Sequence, residues 1–391
     1  MQFPERFSNL PEYAFPRMRA LLDPHQAGGD VIHMSIGEPR HPMPDFVPEM
    51  IEANAGAFAK YPPNEGTPGL RQAITAWVKR RYSVDLDPEQ HVVPINGSRE
   101  GLFNAALALL PESKNGKQPI ALMPNPFYQV YSVGTIMAQA EPMFVSAGPE
   151  TDFLPDYAAL PPETLDRVAI AFICSPSNPQ GGVATTDYWK TLLKLAEKHD
   201  FVVFADECYS EIYRDTPPKG ALEVAKEINL DPERLVAFHS LSKRSNLPGL
   251  RSGFIAGGPE TISLIKKLRA YSGAPLPLPI QHVSEAVWAD EKHVIHSRKL
   301  YQQKYDLVDE IMGDVPDYQP ANAGFFLWLP VWDGEAMALK IWKRTGVRVL
   351  PGAYLSRPTE TGDPGAGYVR VALVADINET RKGLEAIRAC M

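Results

Sequence analysis

Residues 240–253 read SLSKRSNLPGLRSG, and they follow a run of apolar and β-branched residues at 234–239. This run predicts a strand, so we expect Lys243 in a loop just beyond the C-terminal end of that strand, where α/β folds place their ligands. The two hydroxyls that precede Lys243, together with Arg251, suit a bound phosphate. A lysine beside a phosphate-anchored aldehyde can form a Schiff base. The alternative is that Lys243 and Arg251 are ordinary surface charges.

The composition is that of a globular protein long enough for two domains. The chain has 391 residues, of which 44% are hydrophobic and 22% charged. Its net charge of −8, without a basic block, argues against nucleic acid as a partner. We find no signal-peptide pattern and no uncharged apolar run of about 18 residues, the length that a membrane span requires. Three cysteines without paired spacings predict neither disulfides nor a zinc site, so we expect a cytoplasmic protein that needs no metal.

Two glycine-containing segments follow predicted strands. Gly37 comes after a strand-like run, where a glycine lets the backbone approach a ligand, although a plain turn glycine fits equally well. Gly97 and Ser98 separate a strand at 92–95 from a helix predicted over 99–110. Amides at a helix N-terminus bind anions readily. The alternative is that Ser98 only caps the helix.

Two further apolar strands lead into polar side chains. Residues 168–174 are typical of a buried parallel strand and are followed by a turn that contains Asn178. Residues 201–205 are apolar and lead directly to Asp206. A carboxylate in this position needs a cation, and a protonated pyridine nitrogen would serve. Strand alternation places Glu207, the rival functional acid, on the opposite face.

A single arginine, Arg370, interrupts the apolar strand predicted over 368–373. Such an arginine needs an anionic partner. The carboxylate of an amino-acid substrate, held by both guanidinium donors, would supply it, and a structural Asp or Glu is the alternative.

These segments together resemble the fold-type I pyridoxal-phosphate aminotransferases, in which Ser-x-Ser-Lys is followed by a turn and then Gly-x-Arg-x-Gly. The resemblance runs from Gly37 through Arg370 in the family's order. It implies an α/β fold in which a large domain has a mostly parallel central sheet flanked by helices and a smaller domain is also α/β. We expect an N-terminal arm that forms part of the small domain (1–45), a large cofactor-binding domain (46–285) and a small C-terminal domain (286–391). A long periodic segment over 283–312 would bridge the last two.

The resemblance also implies residue roles around pyridoxal 5′-phosphate. Lys243 would form the Schiff base and move protons during catalysis, and burial beside cationic Arg251 would lower its pKa. Asp206 would hold the protonated pyridine nitrogen, and Tyr209 would donate a hydrogen bond to the phenolic oxygen. The remaining cofactor-binding residues would be Tyr128, stacked on the ring, Asn178 on the phenolic oxygen, and Gly97, Ser98, Arg99, Ser240, Ser242 and Arg251 around the phosphate.

Substrate contacts and assembly follow from the same resemblance. Gly37, Asn178 and Arg370 would contact the substrate, with Arg370 binding its carboxylate. Tyr61, in a Tyr-Pro-x-x-x-Gly segment, would reach the cofactor phosphate of a second subunit, so we expect a homodimer.

Within the family, the lysine stretch and the segment GEPRHP at 37–42 look like those of bacterial succinyldiaminopimelate aminotransferases. Those enzymes pass an amino group from glutamate to N-succinyl-2-amino-6-oxopimelate. An aspartate-type or LL-diaminopimelate aminotransferase is the alternative within the same chemistry. A non-catalytic protein that uses the fold to bind an effector is the alternative of another class, but the joint presence of Lys243, Asp206 and Arg370 favours an enzyme.

Overall fold

The computed structural model describes residues 5, 8, 10, 12–360 and 362–391, and these form an α/β architecture with three sheets. The strands are β1 (Ile32–His33), β2 (Val92–Ile95), β3 (Ile120–Asn125), β4 (Glu141–Ser146), β5 (Val168–Cys174), β6 (Val202–Asp206), β7 (Leu235–Ser240), β8 (Gly253–Gly257), β9 (Phe326–Pro330), β10 (Val347–Arg348), β11 (Leu350–Pro351) and β12 (Tyr368–Ala372). The helices are α1 (Ala14–Leu22), α2 (Val47–Asn54), α3 (Pro68–Tyr82), α4 (Ser98–Leu109), α5 (Gln129–Met137), α6 (Pro162–Leu165), α7 (Thr186–His199), α8 (Ala221–Glu227), α9 (Leu241–Arg244), α10 (Pro259–Ser272), α11 (Leu278–Ala289), α12 (Lys292–Met312), α13 (Gly334–Thr345) and α14 (Ile377–Arg388). Within these described ranges, no helix combines the length and the apolar character needed to cross a bilayer.

The largest sheet has seven strands in the order β2-β8-β7-β6-β5-β3-β4. The four pairs from β7 to β4 are parallel, whereas β8 runs antiparallel to both β2 and β7. All seven residues of β5 are buried, because helices cover both faces of a parallel sheet. The mostly parallel central sheet predicted from the sequence is therefore confirmed.

Helices pack on both faces of this sheet. On one face, α3, α7, α8 and α11 form a core that includes Trp77 and Trp288, and on the other face α4, α5 and α10 form a second core. Successive residues of β6 alternate between them: Val203 and Ala205 belong to the first core and Phe204 to the second. Since both faces are filled with apolar side chains, the ends of the strands are left for polar groups.

A smaller unit contains the antiparallel sheet β11-β12-β9 and the helices α12, α13 and α14. Strand β1 of the N-terminal arm pairs in parallel with β10, with Ile32 opposite Val347. This part of the arm therefore lies with the C-terminal unit.

The domain boundaries at 45 and 285 stay predictions. Position 285 lies inside α11, whose Val283 and Val287 pack in the same core as the large sheet, whereas α12 contributes Tyr301 and Tyr305 to the core of the small unit. We therefore propose that the second boundary lies between α11 and α12.

The long periodic segment predicted over 283–312 consists of two helices, the end of α11 and all of α12, which are separated by a break at Asp290. Asp290 has an extended backbone with ψ 131, and its carboxylate accepts a hydrogen bond from the His293 amide at 3.1 Å. Its carbonyl oxygen accepts another from Arg244 at 3.1 Å. The sequence analysis did not predict strand β4 or helices α2 and α8.

Candidate active site

The C-terminal ends of β5, β6 and β7 meet at a cavity of about 340 Å³, a volume within the ~300–1,000 Å³ typical of small-molecule sites. The last residues of these strands, Cys174, Asp206 and Ser240, all line it. Most of the other residues singled out from the sequence line it as well. They are Gly37, Ser98, Arg99, Tyr128, Asn178, Tyr209, Ser242, Lys243, Arg251 and Arg370.

Lys243 lies in α9, a four-residue helix directly after β7, where the sequence predicts a loop. The helix begins there because the Ser240 hydroxyl oxygen accepts a hydrogen bond from the Ser242 amide at 3.1 Å and so caps the first turn. The Nζ atom of Lys243 donates a hydrogen bond to the carbonyl oxygen of Gly37. The short helix thus directs the amine across the cavity to the segment that precedes α2.

The environment of Lys243 favours its neutral form. Burial lowers the pKa of Lys243 to about 8, and the cations Arg370 and Arg251 add to this effect. The direction agrees with the expectation from the sequence, which named burial and Arg251 but not Arg370. A lower pKa matters chemically, because only a neutral amine can accept a proton.

Asp206 presents a buried carboxylate to the cavity. Its Oδ2 accepts a hydrogen bond from the Tyr131 hydroxyl at 2.7 Å, and its Oδ1 accepts a longer one from the Cys208 amide at 3.4 Å. Burial raises the pKa of Asp206, since desolvation disfavours the charged form, and these donors oppose the rise. Because both hydrogen-bond partners are neutral, a cation placed in the cavity would gain a favourable interaction here.

Tyr131 is a site residue that the sequence analysis missed. Its ring is 1% exposed and stacks on Phe172, with centroids 4.6 Å apart and an interplanar angle of 13°. The spacing of three residues from Tyr128 was a usable signal, since residues three apart share a helix face. Tyr13 and Phe15, from the N-terminal arm, also line the cavity, and no local pattern in the sequence indicated this.

The N-terminus of α4 and Arg251 form a group suited to an anion. Gly97 is the N-cap residue with φ 81, and a Cβ atom there would lie 2.3 Å from Nη2 of Arg251, so glycine permits the close approach. Ser98 is the first helical residue, and the N-cap position is occupied by Gly97. The alternative that Ser98 is only an N-cap is therefore wrong. Free amides at this terminus and the Arg251 guanidinium provide positive potential.

More hydroxyls and a second guanidinium line the same cavity. The hydroxyl oxygens of Ser240 and Ser242 are 3.0 Å apart, so the two side chains act as one polar patch. Arg99 donates a hydrogen bond from Nε to the Tyr128 hydroxyl oxygen at 2.9 Å, which holds the two side chains together.

Arg370 is buried in β12 and belongs to a hydrogen-bonded network. Its Nη1 donates to Oδ1 of Asn178 at 2.9 Å, and its Nη2 donates to the carbonyl oxygen of Ser35 at 2.8 Å. Asn178 in turn donates from Nδ2 to the Tyr209 hydroxyl oxygen at 3.4 Å. Both oxygens that accept from Arg370 are neutral, so the structural carboxylate considered from the sequence is not its partner among the described residues.

Two residues discussed from the sequence lie elsewhere. Tyr61 is fully exposed, with a relative accessibility of 101%, and does not line the cavity of its own chain. The Glu207 carboxylate accepts hydrogen bonds from the Tyr82 hydroxyl at 3.0 Å and from the Ala221 amide at 2.7 Å. Asp206, and not Glu207, therefore faces the cavity.

Comparison with known proteins places these features in one family. Residues 29–387 match the family model described as aminotransferase class I and II. An LL-diaminopimelate aminotransferase from Dehalococcoides mccartyi (strain ATCC BAA-2266) is 32% identical over 98% of this chain and 97% of that protein. A crystal structure of an aminotransferase from Neisseria meningitidis Z2491 has a TM-score of 0.94 at 39% identity and covers 99% of both chains. Aminotransferase AspB from Helicobacter pylori 26695 has a TM-score of 0.90 at 34% identity, covering 100% of this chain and 99% of that one.

Enzymes of this family use pyridoxal 5′-phosphate, and the residues in the cavity fit that cofactor. Lys243 offers an amine for its aldehyde, and the buried Asp206 carboxylate offers a counter-charge for its ring nitrogen. The α4 N-terminus, the serine hydroxyls and Arg251 together offer donors for its phosphate. By sequence match and by fold, the chain belongs to the class I and II aminotransferases.

Proposed function

We propose that this pyridoxal-phosphate-dependent aminotransferase takes LL-diaminopimelate as amino donor and 2-oxoglutarate as acceptor. The support for the donor is the Dehalococcoides mccartyi relative of that name, which aligns over 98% of this chain. The sequence features that resemble succinyldiaminopimelate aminotransferases are two short stretches, 37–42 and 240–253, and they identify no residue that would bind a succinyl group. LL-diaminopimelate therefore replaces the succinylated compound as our first candidate.

When bound, pyridoxal phosphate supplies an aldehyde that captures an amino group and a ring that takes up electron density from the substrate α-carbon. We assign Arg370 to the substrate α-carboxylate. Its Nε is buried and has no hydrogen-bond partner in the described part of the chain, and its Nη atoms bond only neutral oxygens. A buried guanidinium in this state gains from a planar, bidentate anion. Asn178 and the backbone of Gly37 complete this wall of the cavity.

We assign Lys243 to the proton transfer at the substrate α-carbon. The Gly37 carbonyl oxygen orients Nζ, and burial lowers the pKa of Lys243 to about 8, which raises the fraction of neutral amine. General base catalysis of this kind typically contributes about 10²–10⁴-fold in rate.

Asp206 would keep a proton on the ring nitrogen, because a buried carboxylate with neutral donors favours a cationic neighbour. Tyr209 and Asn178, linked by their own hydrogen bond, would donate to the ring oxygen, and Tyr128 would stack on the ring. The phosphate would be bound by Gly97, Ser98, Arg99, Ser240, Ser242 and Arg251.

We also propose a cytoplasmic homodimer in which Tyr61 completes the site of the second subunit. Full exposure of a tyrosine in the single chain supports this, since a large aromatic side chain gains from burial against a partner. The site in one chain already holds Lys243, Asp206 and Arg370, so Tyr61 would add to phosphate binding.

The main observation that supports this reaction is that Lys243 and Arg370 line one cavity, with Asp206 at the end of the central strand. The test is steady-state turnover by the protein loaded with pyridoxal phosphate, with 2-oxoglutarate and either LL-diaminopimelate, N-succinyl-LL-diaminopimelate or L-aspartate. We expect the highest kcat/KM with LL-diaminopimelate. A higher value with the succinylated donor or with aspartate would overturn the substrate assignment and leave the reaction class intact.

A separate arm tests the reaction class against the effector-binding alternative. We expect a visible absorption band with excess cofactor, and loss of both band and turnover in Lys243→Ala. Lys267→Ala, which removes an exposed lysine on α10, is the matched control. A colourless wild-type protein, or full activity in Lys243→Ala, would contradict the proposal.

A further inference from the structure

Lys304 is a buried lysine of α12 that the reaction does not use. It is 1% exposed, and its Nζ lies 2.7 Å from Nε2 of His41 and 3.0 Å from the carbonyl oxygen of Leu373. Burial and the nearby lysine lower the pKa of His41 to about 3, so the imidazole is neutral at physiological pH. Nε2 of His41 is therefore free to accept a hydrogen bond while Lys304 donates to both partners.

These two partners belong to the two segments that form the substrate end of the cavity. Segment 34–41 carries the Gly37 carbonyl that binds Lys243, and segment 370–373 carries Arg370. The segments are joined at one end by hydrogen bonds from Arg370 to the carbonyl of residue 35, at 2.8 Å, and from the amide of residue 372 to the carbonyl of residue 34, at 2.7 Å. At the other end of segment 34–41, Lys304 links His41 to the carbonyl oxygen of Leu373.

A third segment joins the same cluster. His41 Nδ1 lies 3.5 Å from the hydroxyl of Ser297, and that hydroxyl accepts a hydrogen bond from Nδ2 of Asn246 at 3.1 Å. Asn246 follows Lys243 by three residues in the stretch 240–253. The polar cluster around Lys304 thus contacts the lysine stretch, segment 34–41 and the end of β12.

Burying an amine is unfavourable, and a methionine would fill the same space without that cost. What a lysine adds is the pair of hydrogen bonds. We propose that Lys304 is a positioning residue that holds segment 34–41 against the end of β12 and thereby sets the distance between the Gly37 carbonyl and the Arg370 guanidinium. This inference rests on the proposed assignment of Lys243 and Arg370 to the substrate site.

The test compares Lys304→Met with Lys299→Met, which replaces an exposed lysine on the same helix. Hydrogen exchange of the peptide covering 36–42 is measured in the cofactor-loaded proteins, together with KM and kcat for an amino donor that the wild type accepts. For Lys304→Met we expect faster exchange in this peptide and about a tenfold rise in KM, the size expected for a lost buried hydrogen bond, with little change in kcat. Lys299→Met should behave like the wild type.

Two variants of His41 test the same proposal in case Lys304→Met does not fold. His41→Phe removes the acceptor and should reproduce the faster exchange and the higher KM. His41→Gln supplies an oxygen near the position of Nε2 and should bring both quantities back towards their wild-type values. Unchanged exchange and KM in the folded Lys304→Met or His41→Phe protein would overturn the proposal, and so would equal impairment by His41→Gln and His41→Phe. If LL-diaminopimelate is not a substrate, the hydrogen-exchange measurement still tests the positioning role of Lys304, because it does not depend on the identity of the substrate.

Discussion

Arg370 and Asn178, which are 192 residues apart in the chain, are joined by a hydrogen bond of 2.9 Å from the guanidinium Nη1 to the amide Oδ1. The bond connects β12 of the small unit to the turn after β5 of the large sheet. If the substrate carboxylate binds at Arg370, as proposed, its affinity would depend on the relative position of the two units.

Replacing Arg370 by lysine keeps the charge but removes the planar pair of donors. We expect kcat/KM for the amino donor to fall by ~10²-fold, corresponding to about 2–3 kcal/mol, mainly through KM. Steady-state kinetics measure this, with Arg381→Lys on the exposed face of α14 as control. An unchanged KM would show that the carboxylate binds elsewhere.

The hydroxyl of Tyr131 donates to Asp206, so its removal should weaken the charged form of that carboxylate. We expect Tyr131→Phe to lower kcat by about five- to tenfold, the effect of one lost hydrogen bond to a charged group, with KM nearly unchanged. Tyr188→Phe is a matched control, because the Tyr188 hydroxyl donates to the Pro155 carbonyl at 2.7 Å outside the cavity. Equal effects of the two substitutions would refute a specific role for Tyr131.

The rate should depend on pH through Lys243. With the pKa of Lys243 lowered to about 8, the neutral amine becomes more abundant as pH rises towards 8. We expect kcat to increase between pH 6 and pH 8 and then to level off, as measured under saturating substrates. A rate that falls over this interval would argue against Lys243 as the proton acceptor.

Stability should depend on pH through Lys304. Burial lowers the pKa of Lys304 to about 7, against about 10.4 for an unfolded lysine. Between these values the unfolded chain binds more protons, so the wild type gains stability as pH rises through this window, and below pH 7 the cost of the buried charge is fully present. Asp376 raises and Arg40 lowers the pKa of Lys304. The titratable side chains that Nζ faces among the described residues include His41, at 2.7 Å, and Tyr301, whose ring centroid is 4.9 Å away.

The consequence can be measured as a difference in Tm between Lys304→Met and wild type. The Tm of Lys304→Met minus the Tm of wild type should be more positive at pH 6 than at pH 9, because only the wild type is destabilised by a buried ammonium. Titration of Lys243 is common to both proteins and cancels. A difference that is independent of pH would mean that Lys304 keeps an ordinary pKa.

Hybrid dimers test the proposed role of Tyr61 in the partner's site. Tyr61→Ala and Lys243→Ala should each be impaired as homodimers. If Tyr61 acts across the interface, co-expression of the two differently tagged chains should yield hybrids with one intact site and measurable turnover. Hybrids whose single Lys243-containing site is as impaired as a Tyr61→Ala site would place Tyr61 in its own chain's site. An unimpaired Tyr61→Ala homodimer would place Tyr61 outside both sites.

Much of the fold could be predicted from local patterns. Strands β2 and β5 begin and end at the predicted residues, because their short apolar runs are bounded by turn residues and both faces are buried. Strand β4 escaped detection: it is an edge strand, half-buried at every position, and it contains Pro142. The break between α11 and α12 escaped for another reason, since the contacts of Asp290 with His293 and Arg244 interrupt a helical pattern that continues in the sequence.

The sequence alone determined the family and the candidate groups. Short-range periodicity reveals the strands that end at Asp206, precede Lys243 and contain Arg370. The tertiary structure alone decided how those groups are tuned and spaced. The contacts of Asp206 with Tyr131 and of Lys304 with His41 span 75 and 263 residues, and they arise only when separate elements pack together. Local patterns report which face of an element is apolar, whereas the distance between two buried polar atoms depends on the packing of the whole chain.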